Sequence, residues 1–319
     1  MSTKLPLDLT PIEAAFHGSL GAILLICFVC GRRIYWAADA LVQLILGIGM
    51  CAAAKFIVPP QTQHGSMDPI HYFALQAFGL HLIATSVAWF LCRNSQDNRM
   101  FARLFLGRIM TCLFLFVAIL FSVYNLWGRK GSFKFNEKFA VLYPGLYGVS
   151  LLASLIHLYR NWPKGGPPAV NLRADWLYIA MQLDFVVLLF SAVVNFAFPT
   201  QILKTLMKPQ YIIDGVHVCF WRMNAALSFG HAIASAGAAE FADVNDQKSH
   251  VLARMLAQIF HFAWNLYGHF YLDVFSMFHV TPFMLAGFYI TFLLSSYFRF
   301  PRAPKSKPEP QNVAEKKDQ

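Results

Sequence analysis

Long uncharged stretches constrain this chain more than any motif does. Apolar runs with almost no charge span residues 14–31, 36–58, 69–92, 104–128, 139–159, 176–199, 215–239, 250–272 and 274–298. About 20 such residues in a helix cross the hydrocarbon core of a bilayer. In lipid the backbone must satisfy its own hydrogen bonds, which restricts spanning structures to helices and closed barrels. The sequence therefore predicts an all-α polytopic membrane fold of nine transmembrane helices with short loops, leaving no room for an extramembrane catalytic domain.

Composition supports this reading. Only 13% of the 319 residues are charged and 57% are apolar, whereas a soluble domain carries about 25% charged residues. The net charge of +10 comes from loop ends and a basic tail. A nucleic-acid binder would need a water-exposed basic face, so no nucleic-acid partner is expected. The first run has no small-residue cleavage site and reads as an anchor. Residues 301–319, rich in Pro and Lys, read as a disordered tail. The six cysteines lie in or beside apolar runs, where a thiol is a small hydrophobe. The spacing Cys27-x-x-Cys30 has no second pair to suggest redox chemistry.

The two halves of the chain share residues at regular offsets. Arg33, Trp36, Phe56, Pro59 and Gln61 recur as Arg173, Trp176, Phe196, Pro199 and Gln201, all 140 positions on. Asp68-x-x-His71 recurs as Asp214-x-x-His217, 146 positions on. Ala102-Arg103 aligns with Ala253-Arg254, and Gly148 with Arg160 aligns with Gly287 and Arg299. These matches predict a tandem duplication: a leading helix within residues 1–32, four-helix units over 33–161 and 173–300, and the tail. An even number of crossings per unit gives both copies the same orientation, two bundles about an axis along the membrane normal.

With nine spans, one side collects Arg32, Arg33, Arg93, Arg99, Arg103, Arg160, Lys164, Arg173, Lys248 and the tail. The other collects Lys4, Arg129, Lys130, Lys134, Lys138, Lys204 and Lys208. The excess of positive charge predicts a cytosolic C-terminus. Arg33, Arg103, Arg160, Arg173, Arg254 and Arg299 would then snorkel at the cytosolic interface, with Trp36 and Trp176 at belt depth. The Asp-x-x-His pairs would lie at the opposite face, where Asp can cap a helix. Lys316 and Lys317, third and fourth from the end, resemble a dilysine retrieval signal read by coat machinery. The expected address is the endoplasmic reticulum membrane.

Intramembrane polar groups are functional candidates by default. Asp184 lies in the sixth span, and Arg222, Asn224, Ser228 and His231 in the seventh. Gln258, His261, Asn265 and His269 recur every three or four residues on the eighth, along one helix face. Together Asp184, Arg222, Asn224, His231, His261, Asn265 and His269 are expected to line a ligand-binding polar cavity. A proton or solute pathway and a headgroup site at Arg222 are both compatible with the pattern. Plain interhelical hydrogen bonding with an Asp184–Arg222 pair explains the same residues. No metal is expected, since His261 and His269 lie about 12 Å apart along the helix and no third ligand is spaced to join them. The first unit offers Asp39, Gln43, Lys55, Gln76, His81 and Arg108 as weaker counterparts.

The segment Ala197-Phe198-Pro199-Thr200-Gln201 followed by Arg222-Met223 resembles DoxX-like four-helix membrane proteins and the tumour-suppressor-inducible membrane proteins that share a helix–Pro–helix pattern. The resemblance implies a compact four-helix bundle with both ends cytosolic, and it brings no shared catalytic residue or cofactor. Tandem bundles also resemble endoplasmic reticulum sterol-isomerase-like proteins, whose acidic and aromatic pattern is not clear here. The expected function is binding or movement of a lipid or small hydrophobic solute, with membrane lipids as partners. The alternative is a scaffold that binds other membrane proteins, and an enzyme is the third reading.

Overall fold

The computed structural model describes residues 11–57, 59, 62–63, 67–127, 134–135, 137–163, 176–241 and 243–298. Eleven α-helices account for nearly all of them: α1 (Pro11–Val29), α2 (Arg32–Ala52), α3 (Ala54–Ile57), α4 (Pro69–Cys92), α5 (Asn98–Trp127), α6 (Glu137–Arg160), α7 (Trp176–Ala197), α8 (Pro199–Leu206), α9 (Gly215–Ala238), α10 (Val244–Phe270) and α11 (Val280–Phe298). Two short strands, β1 (Thr62–Gln63) and β2 (Lys134–Phe135), pair antiparallel.

Each of the nine expected spans corresponds to one long helix among the described residues. Six are long and apolar enough to cross a membrane: α1, α2, α4, most of α5, most of α6 and α7. In α11 the apolar stretch is the shorter Phe283–Phe298. The polar residues of α9 and α10 dilute their hydropathy. Much of that polarity points inward, for His217, His231 and Ser235 of α9 and Asp246, His250 and Arg254 of α10 are all buried.

The break after α2 is a local one at Ala53, with α3 continuing for a single turn. Pro199 opens α8, where its fixed φ suits a first helical turn and its missing N–H costs nothing. The expected 36–58 and 176–199 runs therefore each end in a separate short helix.

The helices form a closed circuit of contacts. It runs α1, α2, α4, α10, α11, α7, α9, α5, α6 and back to α1, with α4 also meeting α9 across the middle. Helices of each half thus form one continuous arc, and the arcs join where α5 lies on α9 and α10 lies on α4. Glycines permit the closest approaches. A Cβ at Gly230 would meet the Gly107 oxygen at 2.7 Å and overlap Thr111 Oγ1, so α5 and α9 touch backbone to backbone. Gly47 and Gly79 do the same for α2 and α4, where a Cβ on Gly47 would sit 2.6 Å from the Gly79 oxygen. Small residues serve this purpose in membranes, where packing replaces the hydrophobic drive.

Polarity is arranged inside out. Phe190 and Phe288 are each 71% exposed on the outer faces of α7 and α11, while Asp39, Asp184 and Arg254 have no exposure at all. A water-soluble chain would be destabilised by that distribution, and a lipid-embedded one is not.

One end of the bundle gathers the basic residues. Arg32 bonds Asn98 and Asn161, Arg33 donates to the Ser95 carbonyl at 3.3 Å, and Arg103 pairs with Glu240 at 3.0 Å. Arg160 is exposed there beside Phe28, its guanidinium 5.6 Å from the ring centre. Arg173, Arg299, Lys316 and Lys317 lie outside the described residues. Two expectations for this end are corrected. Trp36 is not in an interfacial belt; it is fully buried, its ring centre 4.5 Å from that of Trp89 at a tilt of 40°, and donates to the Trp89 carbonyl. Arg254 does not snorkel to the interface, because it lies nearly three turns into α10 and its charge is held inside the bundle.

Candidate functional site

Two buried acid–base pairs anchor the interior. On α2, Asp39 takes a hydrogen bond from Arg108 of α5 at 3.0 Å and one from Ser150 of α6 at 3.2 Å. Ser150 Oγ also accepts from Arg108 Nε at 2.9 Å, and Gln43 donates to the other Asp39 oxygen. On α7, Asp184 is gripped by Arg254 of α10, at 3.0 Å from Nε and 3.3 Å from Nη2. Ser235 of α9 donates to the same carboxylate and meets His250 Nε2 at 2.9 Å. The pairs repeat with almost the same spacing, 69 residues in one and 70 in the other.

The expected Asp184–Arg222 pair is therefore corrected. Arg222 lies at another level of α9, donating to the Phe196 carbonyl of α7 at 3.0 Å with its guanidinium 4.3 Å above the Phe121 ring. The alignment of Arg103 with Arg254 also gives way, since Arg108 is the residue in the matching environment. Asp39 and Arg108 were legible as counterparts through the common offsets of 145 and 146 to Asp184 and Arg254, which an alignment anchored on 140 hides.

Two cavities flank these pairs. A narrow one of about 20 Å³ is lined by Thr85, Arg108, Thr111, His231 and His250, among others. The larger, about 290 Å³, lies between α4, α7, α9 and α10, closed by Leu206 of α8, Phe283 of α11 and Phe275 of the segment between α10 and α11. Its polar lining is His81, Ser191, Asn195, Asn224, Ser228, Gln258, His261 and Asn265, and its aromatic lining includes Phe73 and Trp221.

The helix face read from the sequence, Gln258–His261–Asn265, does line this larger cavity together with Asn224. Asp184, Arg222 and His269 do not. His269 lies beyond it, against the edge of Phe283. His231 is connected indirectly: its ring stacks on His81 at 5.1 Å, His81 meets the His261 ring edge-on at 4.9 Å, and Thr85 Oγ1 bonds His231 Nε2 at 2.7 Å. Sequence reading ranked His81 low and passed over Ser191 and Asn195. Only the fold carries the α4 and α7 groups to the same space as α10.

At the opposite end of the bundle, the Asp-x-x-His motifs form reciprocal capping boxes. Asp68 caps α4 and Asp214 caps α9, each accepting from the backbone of its own histidine. Each cap N–H donates to Nδ1 of its own histidine at 3.2 Å. Each Nε2 then crosses over: His71 donates to Asp214 at 2.9 Å and His217 to Asp68 at 3.0 Å, with the rings stacked at 3.6 Å. Burial by itself raises both carboxyls, but hydrogen bonds from His217 and His71 outweigh it and hold Asp68 and Asp214 well below the usual carboxylate range. Donor atoms of Asp68, His71 and His217 fall within 4.8 Å of one another, close enough to hold a cation. Every imidazole nitrogen there is already engaged, so a cation would have to displace those hydrogen bonds.

Apolar outer faces, six membrane-length apolar helices and buried charges define a multi-pass helical membrane protein. The family described as "Domain of unknown function (DUF8292)" matches residues 37–297, and the chain belongs to it. No curated protein and no solved structure matches the chain.

Proposed function

We propose that this protein binds, or moves across the bilayer, a lipid or small hydrophobic solute held in the cavity between α4, α7, α9 and α10. The supporting observation is the cavity's position and lining. At about 290 Å³ it stands at the lower end of small-ligand sites. It combines aromatic walls with a few convergent polar groups, and exposed Ser191 puts its mouth on the outer, apolar face of α7. A ligand could enter sideways from the membrane by that route.

The test is native mass spectrometry of the full chain extracted from its membrane in mild detergent. A defined small amphiphile at fixed stoichiometry, lost on combining His261→Phe with Asn265→Leu, is the expected result. Retention unchanged in that variant, or no specifically retained molecule, would overturn the reading. A stoichiometric protein partner in place of a lipid would favour scaffolding.

The finer architecture belongs to the same proposal. We read residues 33–161 and 173–300 as duplicated four-helix units with exchanged helix contacts. The two Asp–Arg–Ser clusters and the crossed capping boxes support this, as does the DoxX-like segment around Pro199. The basic end is read as cytosolic and the compartment as the endoplasmic reticulum, on the Lys and Arg bias and the Lys316-Lys317 pattern.

A further inference from the structure

We infer that the ligand of the larger cavity is an uncharged amphiphile carrying a hydroxyl group, recognised through that hydroxyl by Nε2 of His81. This rests on the proposal that the cavity binds a small hydrophobic molecule. Three observations carry it.

The first concerns charge. No Asp, Glu, Lys or Arg lines the cavity among the described residues. A carboxylate or phosphate head taken out of water needs a paired cation. Neither nearby guanidinium lines the cavity: Arg254 holds Asp184, and Arg222, whose Nη1 has no hydrogen-bond partner, lies on the Phe121 and Phe196 rings. A neutral head loses little on entering, provided that its hydrogen bonds are replaced.

The second concerns donor and acceptor roles. His81 is 97% buried, being 3% exposed, and lines the cavity. Its Nδ1 lies 3.0 Å from the side-chain oxygen of Asn224, which can only accept, so Nδ1 carries the proton. That leaves Nε2 as an acceptor, and it has no hydrogen-bond partner. The Thr85 hydroxyl cannot supply one, since it donates to the His81 carbonyl at 2.8 Å. A buried acceptor without a partner is costly, and an entering O–H group removes that cost. An ether, ester or hydrocarbon cannot.

The third concerns shape. The His81 ring sits between His231, parallel at 5.1 Å, and His261, edge-on at 4.9 Å. The ring is thus held at a fixed angle, and the Asn224 contact fixes the tautomer. Phe73, Trp221 and Phe283 provide apolar walls for the remainder of the ligand.

The experiment uses the full chain in nanodiscs with tritiated oleyl alcohol, competed by unlabelled oleyl alcohol, oleyl methyl ether or oleate. These share one chain and differ only at the head. Ether and oleate are expected to compete about tenfold less well than the alcohol, the worth of one buried hydrogen bond. In His81→Phe the alcohol should lose that advantage and match the ether. Should that variant fail to fold, Asn224→Leu, which releases the tautomer, is expected to shrink the same ratio. Oleate competing best, or the ether competing as well as the alcohol, would overturn the inference and leave the cavity's binding role standing. Native mass spectrometry that retains an apolar molecule without a hydroxyl would do the same. No probe bound above empty nanodiscs, together with no retained molecule at all, would overturn both.

Discussion

At the scale of single residues, the interior depends on two Asp–Arg pairs buried away from both water and lipid. Each guanidinium meets its carboxylate at 3.0 Å with a serine hydroxyl completing the cluster. Such a pair is a modest net stabiliser, because desolvation offsets much of the attraction, but a lone member left behind is not tolerated. Replacing Arg254 or Asp184 singly by Leu should destabilise the fold by about 3–5 kcal/mol, and replacing both should recover most of that loss. Chemical unfolding in detergent micelles measures the three variants. Single variants as mild as the double would mean that the pair is hydrated. These residues were legible as intramembrane charges; their partners were not. Asp184 and Arg222 both lie in apolar runs, but α7 and α9 pack so that Asp184 sits opposite Ser235 while Arg222 sits opposite Phe196, about 18 Å further along α7 by helical rise. The near-equal spacings of 69 and 70 residues were the available signal for the true pairs.

At the scale of elements, α4 and α9 begin side by side, locked by their own crossed caps. The folded-state carboxyls of Asp68 and Asp214 lie below their unfolded value, so their contribution to stability is fully present above about pH 4 and is lost as pH falls further. The melting temperature should therefore drop as acid protonates them. The variant carrying Asp68→Asn and Asp214→Asn should be less stable at neutral pH and show a flatter acid limb. An acid limb unchanged in that variant would place the sensitivity elsewhere. The motif itself was readable, since Asp followed three residues later by a side chain that can reach back is the pattern of a capping box. The crossover was not, because it needs two helix starts about 146 positions apart in sequence to meet in space.

For the whole molecule, the arrangement of charge along the bundle gives a topology that can be checked. Ser95, Arg103, Arg160 and Glu240 share one end, whereas Lys208 and Asp273 pair at the other. With the cysteines replaced, Cys introduced at Ser95 should react with an impermeant maleimide only after selective permeabilisation that exposes the cytosolic face. Cys introduced at Lys208 should react only from the opposite side. The reverse pattern would invert the orientation, and labelling of both positions from one side would remove the alternating topology.

Hydrophobic run length determined the helices, since a bilayer admits little else, and the local pattern of Asp, Pro and Gly set several of their starts and breaks. It also placed Gln258, His261 and Asn265 on one face, for helical periodicity is a local property. What surrounds that face is a long-range matter. Which helices are neighbours around the circuit, which glycines allow backbones to touch, and which of many buried polar groups share a cavity all depend on contacts between distant segments. His81 shows the difference: in the sequence it is one histidine in an apolar run, and only when α4 packs against α9 and α10 do Asn224, His231 and His261 give its ring a tautomer, an orientation and a neighbouring cavity.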